Sequence, residues 1–197
     1  MLIVVSYASS SSLRLFRYTV DKMLKLSANL QNLNVLSLRT GGPVDLATSA
    51  IINPHNLKIV GWWCKLPAVA APQVLLVEDI REMSDHTVAI NDEEDIISQE
   101  DLVRHKDILE INYDLIGKQV KSKHSKIGKV ADFSYNDGMF VQKLYVEKPM
   151  HKVFSTEDTV LIDRNQILEV TDHYILVKDG EVKVRDSELA GAAAEPA

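Results

Sequence analysis

Six histidines, His55, His86, His105, His124, His151 and His173, are the side chains in this sequence best suited to hold a metal or move a proton. None is followed two to four residues later by a second ligand in the manner of a zinc site, and Cys64 is the single cysteine, so neither a cysteine-rich metal site nor an internal disulfide is available. His86 and His173 each follow an aspartate at a turn, where the carboxylates of Asp85 and Asp172 are expected to accept backbone N–H groups. The eight glycines are scattered and build no phosphate loop; Gly41-Gly42-Pro43 reads as a hairpin turn. No Gly-x-Ser-x-Gly elbow is present. These absences lead us to expect no catalytic residue, no cofactor and no metal, and no small-molecule substrate is evident.

Two other groups could bind a partner. Between Gly117 and Asp132 lie five lysines, Lys118, Lys121, Lys123, Lys126 and Lys129, with His124 and no acid. Alternation on a strand through Val120 and Ser122 predicts that Lys121 and Lys123 share the outward face, with Lys126 on the turn and Lys129 on the next strand. Such a cluster suits RNA phosphates or an acidic partner; it also suits a plain strand edge kept from pairing by its charge. The second group is aromatic. Adjacent strand residues face opposite ways, so Trp62 and its counterpart Leu144 are expected in the core, and Trp63 and Tyr145 outside, near an inter-copy or partner surface. Cys64, in the same run, is expected to be a small buried apolar side chain.

The elements that must carry these residues are short. Alternating runs punctuated by turn residues fill Tyr113 to Asp179, and the stretch from Leu30 to Asp92 repeats the same order of events. Val35 falls on Val120, Val44 on Ile127, the Asn53 turn on the Asn136 turn, and Trp62-Trp63 on Leu144-Tyr145. Val74 to Glu78 is laid on Thr159 to Asp163. Ile80-Arg81-Glu82-Met83-Ser84-Asp85-His86 falls on Ile167-Leu168-Glu169-Val170-Thr171-Asp172-His173, so Glu82 and His86 should superpose on Glu169 and His173. The fold class expected is all-β with a minor helix: two tandem small antiparallel barrels joined by a short helix.

In the second copy, Asp114-Leu115-Ile116-Gly117 with Val120, then Ile127-Gly128-Lys129-Val130-Ala131-Asp132, resembles the opening motifs of the PRC-barrel family. The first copy departs from them: Asn32 or a neighbour stands for the opening glycine, and Asp45 for Gly128. The family's fold is shared by the H subunit of photosynthetic reaction centres and by the C-terminal half of a bacterial small-subunit ribosome maturation factor. The resemblance implies PRC-type barrels and carries no catalytic signature. It therefore points to a non-enzymatic binding or assembly module acting through protein contacts. The alternative it implies is a bacterial accessory factor of small-subunit maturation and rRNA processing, binding a ribosomal protein or rRNA. A second copy of this chain is a further candidate partner.

The chain has 197 residues, 46% of them hydrophobic, and a net charge of −6, which argues against non-specific coating of nucleic acid. The organisation expected is an N-terminal arm over 1–28, a first repeat over 29–97, a linker helix over 98–110 with Ser98 as its cap, a second repeat over 111–184, and a disordered tail over 185–197. Leu13, Phe16, Val20 and Leu24 recur at helical spacing in the arm, which either packs on the barrel or frays; the alternative is a natural start at Met23, with residues 1–22 weakly ordered or spurious. The acidic run Asp92-Glu93-Glu94-Asp95 reads as a solvated face. Two proline-bounded loops of low polarity, 65–72 and 148–155, read as packed or contact segments. No apolar run reaches the ~18 residues of a membrane helix and no export signal is evident, so membrane association is not expected and a cytoplasmic protein is.

Overall fold

Apolar side chains at every second position build the strands, and local breaks in that alternation turn out to be as informative as the strands themselves. The computed structural model describes residues 24–65, 71–148 and 159–179. The chain enters through β1 (Lys25–Leu26) and a 3-10 turn over Ser27–Leu30. The first copy then comprises β2 (Leu33–Ser37), β3 (Gly42–Asn53), β4 (Lys58–Cys64), β5 (Gln73–Leu76), β6 (Ile80–Met83), β7 (Thr87–Ile90) and β8 (Ile96–Ser98). After helix α1 (Lys106–Ile111) come β9 (Gln119–Lys121), β10 (Lys126–Tyr135), β11 (Val141–Glu147), β12 (Thr159–Asp163), β13 (Ile167–Val170) and β14 (Tyr174–Val177).

Two sheets result, each curled into a half-barrel, with orders β6-β7-β2-β3-β4-β5-β8 and β13-β14-β9-β10-β11-β12. The first six strands of one correspond in order to the six of the other. Each sheet is antiparallel except for one pair, β2 with β7 and β9 with β14. Even the ladder irregularities coincide. Breaks at Val35/Leu36, Ala47/Ser49, Ile51/Ile52 and Ile80/Glu82 recur at Lys126/Gly128, Val130/Asp132, Ser134/Tyr135 and Ile167/Glu169. Bulges disrupt a ladder and are kept where a strand must bend, so four shared ones mark a duplicated backbone. Glu82 and Glu169 occupy matching rungs opposite Ala89 and Leu176, and His86 and His173 sit in the matching turns.

One alignment is corrected. Trp63 pairs with Val74, and Tyr145 with Leu161, so Val74 corresponds to Leu161 and not to Thr159. The slip is two residues, which in a strand preserves the facing and so leaves no trace in the apolar pattern.

The copies meet reciprocally. Ile59 N–H donates to the Met139 carbonyl at 2.7 Å, and Val141 N–H to the Leu57 carbonyl at 3.0 Å. Ile59 corresponds to Val141 and Leu57 to Met139, so the contact is isologous, like that of a two-fold dimer. Leu57 and Met139 both hold the left-handed conformation, φ 51° and 59°, which is uncommon for side chains of this bulk. The lead-in segments also cross over. β1 pairs with β10 of the second copy, and the Ser27 hydroxyl donates to Asp132. Residues Asn112–Asp114, ahead of the second copy, lie beside Ser49–Ile51 of the first. One continuous core runs through both copies, from Trp62 and Ile59 to Tyr135, Val141 and Leu144.

The linker differs from the expected helix over 98–110. Ser98 ends β8 and makes no capping bond; 3-10 turns cover Gln99–Asp101 and Val103–His105, and only Lys106–Ile111 is α-helical. The segment is held by packing: Leu102, Ile108 and Leu109 sit on Ile51, Val60, Trp63, Val74 and Leu76, a second cluster on the outer side of the first sheet. Nor is the acidic run simply solvated. Asp95 accepts the N–H groups of Asn91 and Asp92, Asp92 accepts that of Glu93, and Arg39 pairs with Asp92 at 2.5 Å. At the β6–β7 and β13–β14 turns, Thr171 Oγ1 accepts the N–H groups of His173 and Tyr174, while Asp85 accepts from the Asn29 side chain instead of from backbone. The 1–28 arm is ordered from β1 on. Its upstream part, the core of both proline loops and the 185–197 tail lie outside the described residues.

Candidate functional site

The lysine cluster sits on the β9–β10 hairpin, and the structure divides it. Strand β9 ends at Lys121, so Lys121 and Lys123 do not share a strand face; Ser122 to Ser125 form the turn, held by Ser122 Oγ accepting the Ser125 N–H at 3.2 Å. Lys121 is half-buried with its Nζ 3.4 Å from the centre of the Tyr174 ring. Lys118 is also half-buried; its Nζ donates to the Asp172 carbonyl and lies 4.7 Å from the Tyr113 ring. Lys123, Lys126 and Lys129 are exposed. Lys126 stands directly opposite Lys121 in the ladder, an unfavourable like-charge rung, whereas Lys129 faces Glu147. His124 Nε2 lies 3.6 Å from the Asp179 carboxylate.

The same hairpin of the first copy carries the opposite chemistry, which sequence reading passed over. By the shared ladder, Leu36 corresponds to Lys121, Leu38 to Lys123, Pro43 to Lys126 and Leu46 to Lys129. Leu38 is 61% exposed and Leu46 is 36% exposed. The signal was available in the repeat alignment: a leucine standing where its counterpart is a solvated lysine has no core to explain it.

Trp62 and Leu144 are fully buried, as their facing predicted, and the Trp62 Nε1–H donates to the Leu30 carbonyl at 2.9 Å. Trp63 and Tyr145 point outward and are half-buried. Trp63 lies under the linker, on the side where the lead-in to the second copy passes. A cleft of about 240 Å³ there is lined by Ser49, Ala50, Ile51, Trp63, Asn112, Tyr113 and Asp114. That is below the ~300–1,000 Å³ of ordinary ligand pockets.

Burial raises the pKa of acidic groups inside the fold. Burial pushes the Cys64 thiol up to about 12, with the Asp45 charge adding to it. Asp45 stands where the second copy has Gly128, and burial raises its carboxyl. The paired register of β3 and β4 ends at Ala47 and Cys64, with one further bond from Lys65 N–H to the Leu46 carbonyl at 3.2 Å, whereas β10 and β11 are paired as far as Lys129 and Glu147. A Cβ at Gly128 would overlap the Glu147 carbonyl oxygen. The opening glycine corresponds to Asn32: both Gly117 and Asn32 have positive φ, 83° and 54°, and asparagine tolerates that region. Among the described residues no three His, Cys, Asp or Glu side chains are grouped to hold a metal ion. No helix among them is long and apolar enough to cross a membrane. Compared with known proteins, the chain matches no family model and no curated protein.

Proposed function

We propose that the chain is a non-enzymatic binding and assembly module, built as tandem PRC-type barrels and acting through protein–protein contacts. One observation carries the reading: a duplicated backbone presents the same hairpin twice, apolar at Leu36, Leu38 and Leu46, basic at Lys121, Lys123, Lys126 and Lys129. Matching backbones with unlike surfaces fit a scaffold whose copies have taken different contacts. An apolar hairpin rimmed by polar residues is the usual make-up of a protein contact. The test is Leu38→Ser with Leu46→Ser, followed by affinity purification from the native cell read by mass spectrometry. The partner set of the parent should be lost while the melting profile is kept; an unchanged set overturns the reading.

The exposed Lys123, Lys126 and Lys129 support a second reading, an accessory factor of small-subunit maturation that contacts phosphates. Each phosphate contact then adds about 0.9 to the slope of log affinity against log salt. Replacing these three lysines with Gln should weaken co-sedimentation with 30S particles and flatten that slope. No binding by the parent at low salt would refute it.

A further inference from the structure

The two crossings at which one copy's lead-in meets the other copy's long strand are equivalent in backbone and unlike in chemistry. Ser49 and Asp132 correspond, each following the same bulge and paired with Trp63 and Tyr145 respectively. The offset that lays Asn32 on Gly117 lays Ser27 on Asn112, Ala28 on Tyr113 and Asn29 on Asp114. At one crossing the Ser27 hydroxyl donates to Asp132 and joins the lead-in to β10. At the other, the same two positions are Asn112 and Ser49, and both line the cleft of about 240 Å³. That is the volume of about eight waters at ~30 Å³ each, room for one long side chain.

Charge names what that side chain carries. In the first copy the Asn29 amide donates to the Asp85 carboxylate at 3.3 Å. The matching pair in the second copy is Asp114 and Asp172, two carboxylates where an amide and a carboxylate stood. Both charges reach Tyr113, whose phenol is raised above its ordinary value by burial first and then by Asp172 and Asp114. Lys118, over the Tyr113 ring at 4.7 Å and bonded to the Asp172 carbonyl, offsets one of the two. One negative charge is left over, and Asp114 is the charged residue of the cleft lining. The other lining groups suit a flat cation with many donors. Trp63 contributes an indole, Asn112 and Ser49 contribute acceptor oxygens, and the buried Tyr113 hydroxyl has no hydrogen-bond partner among the described residues. A guanidinium stacks on aromatic rings, presents five N–H groups in a planar fork and is more weakly hydrated than an ammonium.

We propose that this cleft receives an arginine side chain of a protein partner, its guanidinium paired with Asp114 and stacked on Trp63. The proposal rests on the protein-contact reading and adds to it a contact distinct from the Leu38 hairpin.

The experiment is an NMR titration of the full chain with N-acetyl-argininamide and, in parallel, with N-acetyl-citrullinamide, which has nearly the same shape and no charge. The signals followed are the Trp63 indole N–H and the backbone amides of Ser49–Ile51 and Asn112–Asp114. The arginine derivative should shift these signals and bind at least tenfold more tightly than the citrulline one. Asp114→Asn should reduce that preference to less than threefold, because the new side chain keeps an oxygen for the Ile116 N–H that Asp114 accepts at 3.0 Å and loses only the charge. Equal affinities, no shift, shifts centred on other residues, or a preference that survives Asp114→Asn each overturn the proposal. The citrulline comparison uses the parent alone, so it decides even where Asp114→Asn does not fold. Failure here leaves the protein-contact reading standing, since that reading is tested through Leu38 and Leu46.

Discussion

Arg164 is the side chain that most directly ties one copy to the other, and its removal should uncouple them. It belongs to the second copy, yet its guanidinium donates to the Asn56 carbonyl of the first and, at 3.0 Å, to the Val141 carbonyl, while lying 5.1 Å from the Phe140 ring. Hydrogen bonds from a charged donor contribute about 1.5–3 kcal/mol each, and a cation over an aromatic ring about 0.5–1. Arg164 is half-exposed, so water can replace part of what is lost, and about 2–4 kcal/mol is the expected cost of Arg164→Ala. Against a typical stability of ~5–15 kcal/mol that is large. The chain also has a built-in assay. Its two tryptophans, Trp62 and Trp63, are both in the first copy, so fluorescence follows that copy alone while far-UV circular dichroism follows both. In urea the two signals of the parent should change together. In Arg164→Ala they should separate, with the midpoint of at least one lowered. Arg164→Lys should recover little, since an ammonium cannot reach two carbonyls with a planar fork. Coincident curves with an unshifted midpoint would refute the reasoning.

Trp62→Ala should cost about 3–5 kcal/mol by leaving a cavity, and somewhat more by stranding the Leu30 carbonyl; a urea midpoint like the parent's would contradict the facing assigned to β4. Gly128→Ala should destabilise by about 1–3 kcal/mol because its Cβ meets backbone that cannot step aside, which thermal melts would show. Asp45 has its folded pKa raised by burial, so its favourable contribution exists while it is protonated and is lost as pH rises through that raised value. Asp45→Asn should therefore melt above the parent at pH 7, and the two should converge as the pH is lowered through the carboxylate range.

Where sequence and structure agree, the reason is local. Period-two alternation reports which side chain faces inward, so Trp62 and Leu144 were legible from their neighbours alone. The repeated Glu82–His86 and Glu169–His173 strings were legible because a turn constrains residue type at each position. Register was not: Val74 was placed two residues off because alternation is blind to even-numbered slips. The linker was misread as one helix because its fixing force is long-range, the burial of Leu102 and Leu109 on a sheet distant in sequence. The fate of Lys118 and Lys121 was equally hidden. Their partners, Asp172 and Tyr174, come from the far end of the copy, brought beside β9 by a parallel pairing that no local pattern announces.

The reciprocal turn contact carries a consequence for how the molecule exists in solution. Nothing in the bonds between Leu57 and Val141, or Met139 and Ile59, requires both partners to belong to one polypeptide. Two chains trading copies would satisfy every one of them, with four half-barrels in place of two. Tether length opposes the trade: the segment from Gln99 to Asn112 gives the neighbouring copy of the same chain a local concentration of the order of millimolar. Deleting Gln99–Asp101 should shift the molecule toward interlocked pairs, visible as a doubled mass by light scattering while the circular dichroism stays that of the parent.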